Sequence, residues 1–223
     1  MPTLLDLAHP IHTGTSPWPG TPSVETRFLD RAAATRPDER HSNSTRFAMN
    51  IHCGTHLDAP FHFFDTGRTV DQIPLSQTYG PATLVRLPQC GAGDTVTVDD
   101  LRPHEASLRK TRKLILQTGW SARWLQHDFF EAFPDISVEA ARFCVACGVE
   151  LLGTETPSVD HVPHETHLEL LGNNVVIVEC LRGLEQIPQA EFLFAAIPLN
   201  LAGRDGSPVR AVAIVDGTDA RTV

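Results

Sequence analysis

The sequence predicts a mixed-sheet α/β domain, and three observations carry that prediction. Short apolar segments rich in Val, Ile and Leu outnumber segments with a helical period. Strands and helices do not alternate regularly enough for a doubly wound nucleotide-binding sheet. No internal repeat or long linker divides the 223 residues, 41% of them hydrophobic, so residues 1–223 read as one domain with a sizeable core.

A strand is expected from Ser44, where Phe47, Met49 and Ile51 alternate with Arg46, Ala48, Asn50 and His52. That is the pattern of a half-buried strand, and it would deliver His52 to the face opposite the apolar one. Further strands are expected at Ala82–Leu87, Lys113–Gln117, Val149–Gly153, Val175–Glu179, Phe192–Ile197 and Val209–Val215. The clearest helix runs from Val138 to Cys147, with Ser137 as N-cap, Glu139 in the first turn and Gly148 as the stop. A second covers Glu165 to Leu171 and ends at Gly172-Asn173-Asn174. The polar stretch from Ala33 to Ser44 reads as an exposed loop or arm.

Charge narrows the partners. Eighteen Lys and Arg against 27 Asp and Glu give a net charge of -9, which argues against nucleic acid or an anionic membrane surface as partner; the small-molecule substrate expected of this chain rests on its motifs and not on charge. Met1 to Gly14 lacks a signal-peptide pattern and no later run approaches a membrane span, so a cytoplasmic location is expected. Five cysteines, an odd number without framework spacing, fit reduced thiols.

The chemistry concentrates in His-Cys-Gly-Thr-His-Leu-Asp-Ala-Pro-Phe-His, residues 52–62. His52, His56, Asp58 and His62 are all even-numbered, so an extended or gently kinked chain would project them to one side, while Gly54 and Pro60 argue against a helix. The four are expected on a strand end and its following loop. Imidazole nitrogen and carboxylate oxygen suit zinc or manganese, and no thiolate is required. Cys53 rules out the helical His-Glu-x-x-His arrangement.

This segment resembles the signature His-x-Gly-Thr-His-x-Asp-x-Pro-x-His of the cyclase-like metal hydrolases, which include bacterial kynurenine formamidases and isatin hydrolases. Pro17-Trp18-Pro19-Gly20, Leu116-Gln117-Thr118-Gly119-Trp120, Thr156-Pro157-Ser158-Val159-Asp160 and Ser207-Pro208-Val209-Arg210-Ala211 resemble family landmarks in the family order. The resemblance implies a swivelling β/β/α fold and a homodimer or homotetramer. It also implies two divalent ions, zinc or manganese, per subunit. One would take His52, His56 and Asp58; the second would share Asp58 and add His167 and Glu179, which stand twelve residues apart. His161 and His164 rival His167 in the same histidine-rich loop. His62 is implied as the general acid/base, a role that suits an imidazole.

The reaction implied is hydrolysis of an amide, foremost N-formyl-L-kynurenine to L-kynurenine and formate. The short Asp160–His167 loop keeps open the alternative of a cyclic amide, imide or lactone. A non-catalytic metal-binding protein is a third reading, against which the spare imidazole of His62 counts. Trp18 and Phe64 are candidate substrate-pocket residues, with core packing as the alternative for both; Trp18, displayed between two prolines, suits a substrate wall or a subunit contact. Cys144-Val145-Ala146-Cys147 has redox spacing but falls inside a helix, which favours packing. Gly203-Arg204-Asp205-Gly206 reads as a plain turn with no nucleotide role.

Overall fold

The computed structural model describes residues 1–15, 18–29 and 43–215. Residues 33–42 of the expected arm, and Pro17, lie outside them. In chain order the strands are β1 (Thr3–Asp6), β2 (Glu25–Leu29), β3 (Ser44–Ala48), β4 (His56–Asp58), β5 (Tyr79–Arg86), β6 (Thr95–Val96) and β7 (Lys113–Gln117). They continue with β8 (Asp135–Ile136), β9 (Leu151–Thr154), β10 (Val176–Glu179), β11 (Glu191–Ala195), β12 (Gly206–Pro208) and β13 (Val212–Val215). The helices are α1 (Leu75–Thr78), α2 (Val98–Leu101), α3 (Glu105–Thr111), α4 (Val138–Ala146) and α5 (Glu165–Gly172).

Nine strands form one mixed sheet in the order β1-β13-β11-β5-β7-β9-β10-β4-β12. Its middle, β5 to β10, is parallel. The connections there carry α2 and α3, α4, and α5, as parallel neighbours require. These strands read as continuous apolar runs because both faces are covered. Ala82, Leu84, Ile115, Leu151, Val176 and Val178 enter one core; Val85, Leu114, Leu116, Leu152 and Ile177 enter another with Ala140 and Cys144 of α4 and Leu170 and Leu171 of α5.

The expected helices are found nearly to the residue. The Ser137 hydroxyl accepts from Ala140 N at 3.2 Å as the N-cap. Cys144 and Cys147 are buried in the packed core, and burial pushes the Cys144 thiol up to about 12, so the pair is inert packing. Glu155, fully buried, accepts from Thr118 N, Gly119 N and Ser121 Oγ at 2.5 to 2.7 Å, which explains the Thr-Gly-Trp landmark as a satisfied loop anchor.

Two expectations are corrected. The strand from Ser44 ends at Ala48, and with β2 it forms a separate antiparallel ribbon whose described side chains are exposed. Its alternation is real, but among the described residues no layer covers Phe28 and Phe47, which stay 60% and 50% exposed. His52 is therefore delivered by a turn. The second correction concerns order: the turn comes first, with Gly54 at φ 71°, and the strand β4 follows it. Thr55 ties this turn down, accepting from His9 N at 2.9 Å and donating to Cys180 O at 2.6 Å. β1, β4 and α3 were not foreseen, being too short to show a period.

After β4 a 3-10 turn, Pro60–His62, carries His62. Gly67 lies against it so closely that a Cβ there would sit 2.5 Å from Pro60 C and 2.7 Å from Phe61 N. Both are backbone atoms that cannot swing away. Gly67→Ala is expected to destabilise the fold by about 1–3 kcal/mol, read as a Tm lowered by roughly 2–10 °C in a thermal melt.

Candidate metal centre

β4 pairs antiparallel with β10 on one side and β12 on the other. Leu57 enters the core, so His56 and Asp58 share the opposite face, and the register sets His56 beside Glu179. This is the face toward α5, whose first turn carries the buried His167. His52 reaches in from the preceding turn and His62 from the following one. Common parity thus places only His56 and Asp58; the other two arrive through turns.

His52, His56 and Asp58 form one group with a donor atom each within 4.8 Å of one another, and Asp58, His167 and Glu179 form a second. Asp58 belongs to both. His167 Nε2 stands 3.4 Å from Glu179 and 3.8 Å from Asp58, and His56 Nε2 stands 3.2 Å from Asp58 and 3.4 Å from Glu179. His161 is excluded by geometry: it stacks on Phe133 and its Nε2 donates to Phe133 O at 3.1 Å. His164 lines the cavity and points Nδ1 at Asp160 instead.

The ligand rings are held from behind. His56 Nδ1 donates to Gly54 O at 2.8 Å, and His167 Nδ1 donates to Asp160 at 2.7 Å. Each leaves Nε2 facing the centre, the arrangement that fixes tautomer and ring plane in a metal-ligating histidine. Asp160 also accepts from the backbone N of His167 at 2.9 Å.

His56 Nε2, Asp58 Oδ2 and Glu179 Oε1 are buried with no hydrogen-bond partner among the described residues. Buried, unpaired polar atoms are costly, and their convergence fits a divalent cation that all three would contact. The donor set of nitrogen and oxygen suits zinc or manganese.

Electrostatics agree. Burial pushes Glu179 up and the adjacent charge of Asp58 adds to it. For Asp58 burial acts upward too, but the facing His56 and His52 hold it well below the usual range. His167 rises well above its ordinary value: burial opposes this, and its bond to Asp160 and the facing carboxylates of Asp58 and Glu179 overcome it. Carboxylates that draw protons onto neighbouring imidazoles are a negative cluster that a cation would neutralise.

Over the cluster opens a cavity of about 330 Å³, walled by Trp18, Phe63 and Pro157 and edged by Asn50, His62 and His164. Trp18 lines this cavity and also packs edge-on against Phe130 and Phe133. Phe64 is not among the lining residues: its ring lies against Gly172, and Phe63 stands at the cavity instead. His62 stacks on His52 with centroids 3.9 Å apart, and burial pushes it down to about 4, so it is neutral near pH 7. Sequence reasoning missed Asp205, whose Oδ2 lies 2.6 Å from His52 Nε2. Its signal was an acid inside the Gly203–Gly206 turn, just before the Ser-Pro landmark.

A buried cluster of this donor set beneath a cavity suits a metal-dependent hydrolase. The chain matches the Cyclase family model over residues 5–161 and belongs to that family. It is 30% identical over 215 residues to a protein named kynurenine formamidase from Bacillus cytotoxicus, covering 93% of this chain and 95% of that one. Isatin hydrolase A from Labrenzia aggregata superposes with a TM-score of 0.84 at 23% identity, over 97% of this chain and 94% of the other. A structure described as a potential metal-dependent hydrolase with cyclase activity superposes with a TM-score of 0.77 at 26% identity, over 98% and 100%.

Two outcomes test the centre. Asp160→Asn is expected to weaken zinc binding about 10- to 100-fold, measured by competition with a chromophoric chelator; unchanged affinity would remove Asp160 from the site's support. Zinc added to chelator-stripped protein at a hundredfold excess over its Kd is expected to stabilise by ~2.7 kcal/mol, or roughly 5–10 °C in Tm.

Proposed function

We propose that this chain is a single-domain amide hydrolase whose leading substrate is N-formyl-L-kynurenine, released as L-kynurenine and formate. The observation that carries the reading is the pair of three-residue groups sharing Asp58 beneath a cavity edged by His62. The relative named kynurenine formamidase, aligned over nearly its whole length, supports the substrate.

His52, His56 and Asp58 would hold one ion and Asp58, His167 and Glu179 a second, zinc or manganese in each case. Bound there, a divalent metal supplies Lewis acidity toward a carbonyl and lowers the pKa of water toward neutrality. His62 does the proton work. Neutral and beside the cluster, it takes a proton from the attacking water and delivers it to the leaving nitrogen. Trp18 and Phe63 flank an aryl group and exclude water from it.

A second reading, opening of a cyclic amide, imide or lactone, has in its favour the fold likeness to isatin hydrolase A. Five buried cysteines, an odd number, support a reducing, cytoplasmic setting. No helix among the described residues is long and apolar enough to cross a membrane. The β2–β3 ribbon, with Phe28 and Phe47 exposed, supports a homodimer or homotetramer, since a lone two-stranded ribbon is marginal in water.

The test is an assay of metal-reconstituted protein against N-formyl-L-kynurenine, isatin and simple formanilides. Hydrolysis of the first is expected to be fastest; inactivity toward every formamide would sink the amide reading. His62→Ala is expected to keep its metal by elemental analysis and to lose about 10²- to 10⁴-fold in kcat.

A further inference from the structure

His52 differs from the other two candidate histidine ligands. It lies on an irregular turn and is partly exposed, so no packed element fixes its ring. Both ring nitrogens face carboxylates: Nδ1 stands 2.7 Å from Asp58 Oδ1 and Nε2 2.6 Å from Asp205 Oδ2. His56 is backed by Gly54 O and His167 by Asp160. Asp205 occupies the corresponding place behind His52, with the nitrogens exchanged.

Asp205 is itself built into the fold. Its carbonyl accepts from Ala59 N at 2.9 Å, and the next residue, Gly206, pairs with Asp58 across β12 and β4. A Cβ at Gly206 would stand 2.6 Å from Leu57 O and 3.1 Å from His52 Cε1, so the bare glycine is what lets the His52 ring lie beside that strand. The same Asp205 Oδ2 lies 3.7 Å from Nδ1 of His62, whose ring stacks on His52. One carboxylate therefore stands at the edge of both the ligand and the acid/base imidazole.

We propose that Asp205 is a positioning residue that holds His52 in the Nε2–H tautomer, leaving Nδ1 for the metal, and aligns His62 against it. The proposal rests on the metal-centre reading above but on no particular substrate. With Nε2–H donating to Asp205, the Nδ1 lone pair is directed toward Asp58 and the shared centre. A carboxylate beside His62 Nδ1 favours a proton on that nitrogen and leaves Nε2 free to exchange one with the reacting groups.

The test measures zinc affinity by chelator competition, with no substrate present, for wild type, Asp205→Asn and Asp205→Ala. The Ala variant is expected to bind zinc about 10- to 100-fold more weakly. The Asn variant, which keeps a neutral acceptor in the same place, is expected to lose less. Zinc-saturated variants are then expected to show lowered kcat with KM little changed, on whichever substrate the wild type turns over. Wild-type zinc affinity in either variant would overturn the proposal. Equal losses in the two would also overturn it, by assigning the effect to the carboxylate's charge rather than its hydrogen bond. If the Ala variant fails to fold by circular dichroism, Asp205→Ser, whose side chain is too short to reach His52, takes its place: a larger loss than in the Asn variant supports the positioning role, and an equal loss or none overturns it. Failure of the amide-hydrolase reading would appear only in the activity panel and would leave the zinc result standing.

Discussion

A three-residue strand, His56 to Asp58, is hydrogen-bonded on both flanks, to β10 and to β12. Everything at the candidate centre is referred to that double pairing. Its pleat sends Leu57 into one core and His56 and Asp58 to the other face, and its registers bring Glu179 beside His56 and set the Gly206 backbone opposite Asp58. A slip of one residue would bury the wrong side chains and remove two ligands at once. Short as it is, the strand cannot slip: Ala59 N bonds to Asp205 O at its end, and the Thr55 hydroxyl, bound to Cys180 O, holds its start.

The same face concentrates charge where the protein can least easily solvate it. Asp58 and Glu179 are almost wholly buried, and three of the cluster's polar atoms have no hydrogen-bond partner among the described residues. A buried carboxylate without compensation costs several kcal/mol, so a fold that keeps two of them side by side is organised around a positive charge. The chain meets the remaining requirement by backing each imidazole: Gly54 O for His56, Asp160 for His167 and Asp205 for His52. These acceptors come from three distant parts of the sequence and converge only because β4 sits between β10 and β12 with α5 across them.

Most of the candidate ligand set was legible because its residues are close in sequence and chemically unambiguous. His52, His56, Asp58 and His62 crowd into eleven positions, and His167 and Glu179 stood out through the family signature. The parity argument that grouped the first four was only half correct. It holds for His56 and Asp58 on β4; His52 and His62 are brought to the same centre by turns, which have no period to read. Phe64 was misplaced for the same reason: it is the adjacent Phe63 that stands at the cavity. Asp205 was invisible because nothing in a Gly-Arg-Asp-Gly turn says what lies opposite it.

By itself the sequence determined the local matters: the caps and lengths of α4 and α5, the apolar runs of the parallel strands, the hydrolase family and the donor atoms available. Those are set by side-chain chemistry and by contacts a few residues apart. Tertiary structure decided which of three nearby histidines faces the centre, which aromatic lines the cavity, and which acids stand behind the ligands. Such choices depend on the register between strands far apart in the chain, and on burial that forces each polar atom to find a partner across it.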